Sequence, residues 1–308
     1  KMKKKRDFVR KRYLTCVDCH EKHFDVDLAS LAKASAVRPL LYECPCCGGI
    51  LQVGYEEDEN PGTDLDKKSG KGAVSAVFSD FCDTDLTGMW RYKAFLPVED
   101  KKNIVTLGEG MTALVRAERI YRDLGIENLY VKNEFSNPTA SFKDRPTSVG
   151  ISVAKEGGAD TVAVASTGNA GVAVAAYAAK AGMKSIVCAP KNTAKGKIAQ
   201  LLAYGANIFY VDGNYSDCFG MVKEACAEYG YVNLTSTYVN PYTVEADKTV
   251  AYELYEQLGG RVPEWIVVPI GTGPLLSGVW RGYQELKALG FIDKLPRMVG
   301  VQAANCSP

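Results

Sequence analysis

Thr161-Val162-Ala163-Val164-Ala165 leads into Ser166-Thr167-Gly168-Asn169, and an alanine-rich run from Ala170 to Ala181 follows, closed by Gly182. The first five residues read as a buried strand. The small polar residues read as a turn, and the alanines as a helix with glycine as its stop. The charge-free run from Thr161 to Ala179 is short for a membrane span, and the polar turn divides it.

Outward from this unit the same rhythm repeats. Strands are expected at Leu129–Val131, Ser185–Cys188, Asn207–Val211, Trp265–Ile270 and Met298–Val301. Helices are expected at Ser141–Ala154, Ala194–Tyr204, Tyr215–Tyr229, Val244–Leu258 and Leu275–Leu289. Strands alternating with helices of this length give βαβ units and a parallel sheet, so the fold class is α/β. No repeat of 20–50 residues is visible. Open parallel sheets bind ligands beyond the carboxyl ends of their strands, so chemistry is to be sought in the strand-to-helix turns.

Three segments stand out there. Ser166 to Gly171 places small polar residues at a helix N-terminus, where amides and dipole favour an anion; an ordinary N-cap is the alternative. Pro269-Ile270-Gly271-Thr272-Gly273-Pro274-Leu275-Leu276 is a glycine-rich turn between strand and helix. It has neither a Walker lysine nor dinucleotide-type glycine spacing, but its amides can hold a phosphate. Asn137 to Arg145 carries Lys143 beside Phe142 at a helix start. Burial and the helix N-terminus would both lower that lysine's pKa and leave a nucleophilic amine. A surface Lys-Asp-Arg cluster is the competing reading.

Among ten cysteines, Cys16-Val17-Asp18-Cys19 and Cys44-Pro45-Cys46-Cys47 form two close pairs 24 residues apart. Four thiolates close the coordination shell of a zinc ion, which is a structural rather than a catalytic arrangement. Cys46 is an alternative to Cys44 or Cys47, and His20 or His23 to Cys19; a degenerate empty site or a disulfide also fits. Cys82, Cys188, Cys218, Cys226 and Cys306 lie in apolar stretches and read as small core residues. A mobile linker is expected over 55–72, and Phe78 to Val98 is expected to pack onto the body.

The net charge is +1, yet residues 1–12 carry +7 and the remainder −6. A nucleic-acid-binding body would be basic, so the charged end reads as a solvated tail. No apolar core follows it, so no secretory signal is expected, and the protein is placed in the cytoplasm.

In this order the segments resemble the fold-type-II pyridoxal-phosphate enzymes, most closely the threonine synthase family. The similarity runs through Gly88-Met89-Trp90-Arg91-Tyr92, Leu107-Gly108-Glu109-Gly110-Met111-Thr112, the Lys143 motif, the Ser-Thr-Gly-Asn turn and Lys197 to Ala206. It continues through Asn240-Pro241-Tyr242, Glu245, Lys248-Thr249 and the glycine turn. The resemblance implies two open parallel-sheet domains of the tryptophan synthase beta-like (fold type II) kind plus a small N-terminal zinc ribbon. The ribbon would span 13–54. Residues 73–150 with 245–308 would form the main cofactor-binding domain, and 151–244 a smaller substrate-side domain. It implies that Lys143 forms a Schiff base with pyridoxal 5'-phosphate and then moves protons on substrate carbons. Phe142 would pack on the pyridine ring and Asn169 would bind its phenolic oxygen. Gly271, Thr272, Gly273, Leu275 and Leu276 would hold the cofactor phosphate. Ser166, Thr167, Gly168 and Asn240 would receive the amino-acid substrate, and Cys16, Cys19, Cys44 and Cys47 the zinc. The reaction would be phosphate elimination from O-phosphohomoserine with addition of water to give threonine, in a homodimer.

Several positions depart from the family pattern. Ala140 and Pro146 stand where glycine is usual, Ala170 where a hydroxyl is frequent, and Thr243 where a basic residue is common. Pro274 removes an amide from the phosphate turn. These departures keep open a sister activity such as a β-replacing synthase (cysteate synthase is one) or a serine/threonine dehydratase. A non-catalytic zinc-ribbon nucleic-acid-binding protein is the alternative from another class.

Overall fold

A computed structural model describes residues 11–24, 40–56, 78 and 81–306. The basic tail of residues 1–10 and most of the expected linker lie outside the described residues. Strand β6 (Thr161–Ala165) is buried along its whole length and lies inside a four-stranded sheet. β7 (Lys184–Pro190) flanks it on one side, followed by β8 (Asn207–Val211), and β9 (Val232–Asn233) flanks it on the other; every pairing is parallel. Side chains alternate across this sheet. Val162 and Val164 pack with Ile151, Val172 and Tyr177 in one core, while Ala163 and Ala165 pack with Cys218 and Val222 in another. Two faces covered by helices explain why β6 is apolar throughout rather than alternating.

The helix after β6, α3 (Asn169–Ala181), ends at Gly182 with φ 70°. That left-handed conformation needs a glycine and closes the last turn. α2 (Asp144–Glu156) precedes β6, α4 (Lys195–Ala203) links β7 to β8, and α5 (Tyr215–Tyr229) follows β8. An Asn214/Asp217 capping box fixes the start of α5.

The second lobe contains α6 (Pro241–Gln257), β10 (Trp265–Pro269), α7 (Pro274–Ala288) and β11 (Arg297–Val301). β10 and β11 pair in parallel, and β4 (Leu114–Arg116) pairs antiparallel with β5 (Tyr130–Lys132), on either side of α1 (Glu118–Leu124). The second parallel sheet is therefore two strands wide among the described residues. α6 and α7 touch along a glycine seam: a Cβ on Gly278 would lie 2.4 Å from Asp247 Cβ, and one on Gly282 would lie 2.7 Å from Ala251 Cβ. Both helices begin earlier than their apolar pattern implies, because each carries proline in its first turn. The expected domain divisions at 150/151 and 244/245 fall inside α2 and α6.

Phe78 and residues 81–98 join the body as expected. Phe78, Tyr92 and Phe95 pack with Tyr252, Tyr255 and Phe291, with the Phe78 and Phe291 rings 5.1 Å apart. β1 (Arg12–Cys16), β2 (Lys22–Phe24) and β3 (Leu51–Tyr55) form a small antiparallel sheet in the order β2-β1-β3. Its core is continuous with the body: Leu14, Leu51 and Val53 share one cluster with Trp90, Val153, Tyr242 and Ala246.

Candidate active site

Lys143 precedes α2, and the anchoring of that helix start explains its position. Arg145 is fully buried and bound on both sides. Its guanidinium donates to both carboxylate oxygens of Glu134 and of Glu253, at 2.6–2.9 Å. Lys132 adds an ion pair to Glu253 at 2.6 Å. Asp144 is buried too and accepts hydrogen bonds from the Thr139 amide and hydroxyl at 2.8 Å. Lys-Asp-Arg is thus an internal anchor, and the surface-cluster reading does not hold. Glu109 reinforces the same region by accepting from Trp90 Nε1 and Tyr177 OH.

Held this way, the Lys143 amine turns inward. It donates to Ser236 Oγ and lies 4.4 Å from the centre of the Phe142 ring. Burial lowers its pKa, and Asp247 opposes that shift.

A cleft of about 340 Å³ opens at this amine, within the size range of small-molecule sites. Its walls include Phe142, Lys143, Ser166, Thr167, Gly168 and Asn169. Gly271, Thr272, Gly273, Leu275 and Leu276 line it from the facing lobe. The two anion-type turns thus face one space, beyond the carboxyl ends of β6, β9 and β10. Within the first turn, Ser166 Oγ accepts from the amides of Gly168 and Gly171 at 3.1 and 2.9 Å. Its hydroxyl shapes the loop. In the second turn, Gly273 adopts φ 93° and Pro274 is the first residue of α7. A helix needs no amide hydrogen at its first position, so this proline costs the helix nothing and leaves the next amides free.

Asn240 is not brought to the cleft. It is fully buried as the N-cap of α6, accepting from the Tyr242 amide at 3.1 Å and donating to the Asn233 carbonyl at 3.1 Å. Conversely, Ser236, Tyr215 and Asp247 border Lys143 or the cleft and were not singled out in the sequence. Ser236 follows a strand only two residues long, which leaves no periodic signal.

The residues fit pyridoxal phosphate. A half-buried amine of lowered pKa suits an aldehyde, and an aromatic ring lies beside it. A Cβ added at Gly271 or Gly168 would meet nothing within 4 Å, so the space above both turns is open to a ligand.

In the ribbon, the sulfurs of Cys16, Cys19, Cys44 and Cys47 all lie within 4.8 Å of one another. Cys16–Cys47 and Cys19–Cys44 are 3.4 and 3.6 Å apart. Tetrahedral zinc with bonds of about 2.3 Å separates its sulfurs by about 3.8 Å, so the set fits the metal. The Asp18 and Cys19 amides point at Cys16 Sγ. Against the upward push of burial, the Cys46 and Cys47 amides and His23 lower the Cys44 thiol to about 6, toward thiolate. Cys46 and His23 group with Cys44 in a second, smaller cluster.

The family model described as pyridoxal-phosphate dependent enzyme matches residues 105–308. The threonine synthase of Methanocaldococcus jannaschii is 39% identical over 294 residues, covering 95% of this chain and 66% of that protein. The threonine synthase of Methanosarcina acetivorans is 36% identical over 297 residues, covering 96% and 66%. The chain therefore spans just under two thirds of either relative's length. Among solved structures, maize serine racemase superposes with TM-score 0.54 at 26% identity, over 61% of this chain and 55% of that one. O-ureido-L-serine synthase superposes with TM-score 0.57 at 23% identity, over 68% and 65%. The matched residues take in every element that lines the cleft, and the chain belongs to the pyridoxal-phosphate dependent enzyme family.

Proposed function

We propose that this chain carries the chemistry of a threonine synthase-type lyase: elimination of phosphate from O-phosphohomoserine and addition of water at the β carbon. The observation that carries the reading is Lys143, a half-buried amine of lowered pKa where two anion-type turns meet. The identity to two threonine synthases supports the substrate.

When bound, pyridoxal phosphate supplies an electron sink for charge that develops on substrate carbons. Lys143 would bind it and hold or move a proton at Nζ. Phe142 would pack against it, Asn169 would hydrogen-bond its ring oxygen, and the turn Gly271–Leu276 would hold its phosphate through main-chain amides. The amides of Ser166, Thr167 and Gly168 receive the substrate carboxylate. Asn240 supports this site from below as a helix cap. Residues 73–150 with 245–308 form the cofactor side and 151–244 the substrate side. Cys16, Cys19, Cys44 and Cys47 hold a structural zinc.

Among the described residues no helix is long and apolar enough to cross a membrane. The described cysteines are free, which suits a reducing cytoplasm. A homodimer belongs to the same reading, by the resemblance of the motifs.

The test supplies pyridoxal phosphate and compares three substrates: O-phosphohomoserine, O-phosphoserine with sulfite, and threonine. Equal release of phosphate and threonine from the first is expected. Turnover of either other substrate with none of the first would replace this reading by a sister activity. A colourless protein that shifts nucleic acid in a salt-sensitive manner would remove it altogether.

A further inference from the structure

A narrow crevice leads from the cleft behind Lys143, lined by Lys143, Thr147, Ser236, Thr243 and Asp247 among others. Its free space is about 10 Å³, close to what one bridging water requires. Asp247 is 1% exposed, and neither of its carboxylate oxygens receives a hydrogen bond from the described residues. A buried carboxylate is ordinarily paired. The other buried acids of α6 follow that rule: Glu245 pairs with Lys248 and Arg281, and Glu253 with Arg145 and Lys132.

Among the described residues, the surroundings of Asp247 leave it one free counterpart. The charges that bear on it are Lys143 and Arg145, with Glu134 opposing them. Arg145 is already bound by Glu134 and Glu253. On the far side of α6, Lys248 is shared between Glu245 and Glu285, and Tyr55 donates to Glu245. From α7 the group against Asp247 is Gly278, which offers no polar atom beyond its backbone. The charged group that acts on Lys143 is, in turn, Asp247.

We propose that Asp247 is the proton-holding partner of Lys143, a positioning residue that acts through the lysine amine. When the amine becomes neutral its proton passes to the carboxylate, directly or across one water, and it returns when the amine is charged again. A lysine ammonium and a carboxylate become an amine and a carboxylic acid, so the step balances without another reactant. Burial works on both groups in the required direction. It lowers the lysine, and it pushes the Asp247 carboxyl up to about 7 against the pull of Lys143 and Arg145. The inference rests on Lys143 being the reactive amine of the proposed function.

The test compares cofactor-free wild type with Asp247→Asn. Acetic anhydride labels Lys143 across a pH series, and peptide mass spectrometry quantifies the label. Loss of the carboxylate removes the group that favours the ammonium form. The variant lysine should therefore label faster below its midpoint, by about tenfold for each unit the midpoint falls. An infrared difference spectrum on addition of pyridoxal phosphate should gain a protonated-carboxyl band in wild type that the variant lacks. The wild-type band stands as a readout even where the variant folds poorly. Coincident labelling profiles, or no carboxyl band in wild type that nonetheless binds cofactor at Lys143, would overturn the proposal and leave the proposed function standing. Failure of Lys143 to take up cofactor in either protein would end both.

Discussion

Ala140 adopts φ 59°, a left-handed conformation in which its Cβ is crowded. It sits in the turn Asn137–Lys143 that delivers Lys143, where the resemblance expects glycine. Replacing Ala140 by Gly should stabilise the protein by up to about 1 kcal/mol, raising Tm by about 2 °C in a thermal melt. A fall in Tm would contradict the strain. Arg145 presents the opposite case, a strong internal pair. Burial raises the Glu253 carboxyl, but Arg145 and Lys132 outweigh it and hold the group down at about 2. A depressed carboxylate adds stability above its ordinary pKa, and that stability is lost as pH falls from about 5 through about 2. Glu253→Ala should cost about 3–5 kcal/mol in denaturant unfolding at neutral pH, because it strands a buried cation. It should also flatten the acid limb of the stability curve. Neither partner was legible beforehand: Lys143-Asp144-Arg145 has the composition of a solvated charge cluster, and the acids that bury Arg145 lie at positions 134 and 253. Lys143 itself became legible through its place between Phe142 and a helix start, and through the order of the motifs around it.

At the scale of elements, β6 and α3 follow their sequence because each is a dense apolar run bounded by clear stops, the polar turn Ser166–Asn169 between them and Gly182 at the end. β9 escaped notice because two residues carry no period; its partner strand places it, not its composition. α6 and α7 start ahead of their apolar spacing for a related reason. Asn240-Pro241 and Gly273-Pro274 are cap and first-turn chemistry, which apolar spacing does not register. The ribbon is the element whose chemistry is most local, since each C-x-x-C turn aims two sulfurs by itself. Its strands, however, share a core with Trp90, Val153 and Tyr242, and Arg281 donates to the Val53 carbonyl at 2.7 Å. Purified protein should contain zinc by elemental analysis. Chelation or Cys47→Ser should lower Tm for the body as well as the ribbon, in one transition. Protein purified without zinc would contradict the metal, and full stability after zinc is removed would contradict its support of the body.

Over the whole molecule, the cleft is a product of topology. Lys143 enters from a turn that precedes α2, the turn Ser166–Asn169 from the end of β6, and the turn Gly271–Leu276 from the end of β10. More than a hundred residues separate the first and last of these, and parallel strands with helical crossovers bring them to one rim. That convergence could be expected from the alternating pattern. The closure of Asn240 into a cap, and the arrival of Ser236 and Asp247 beside the amine, depend on packing between lobes and had no local signal. The central claim is that this assembled space selects one lysine for pyridoxal phosphate. The direct measurement incubates the protein with pyridoxal phosphate, reduces it with borohydride, and maps the pyridoxyl tag by peptide mass spectrometry. The tag should fall on Lys143, and Lys143→Ala should lose it. A tag spread over exposed lysines such as Lys191 and Lys223, with Lys143 unmodified, would contradict the account.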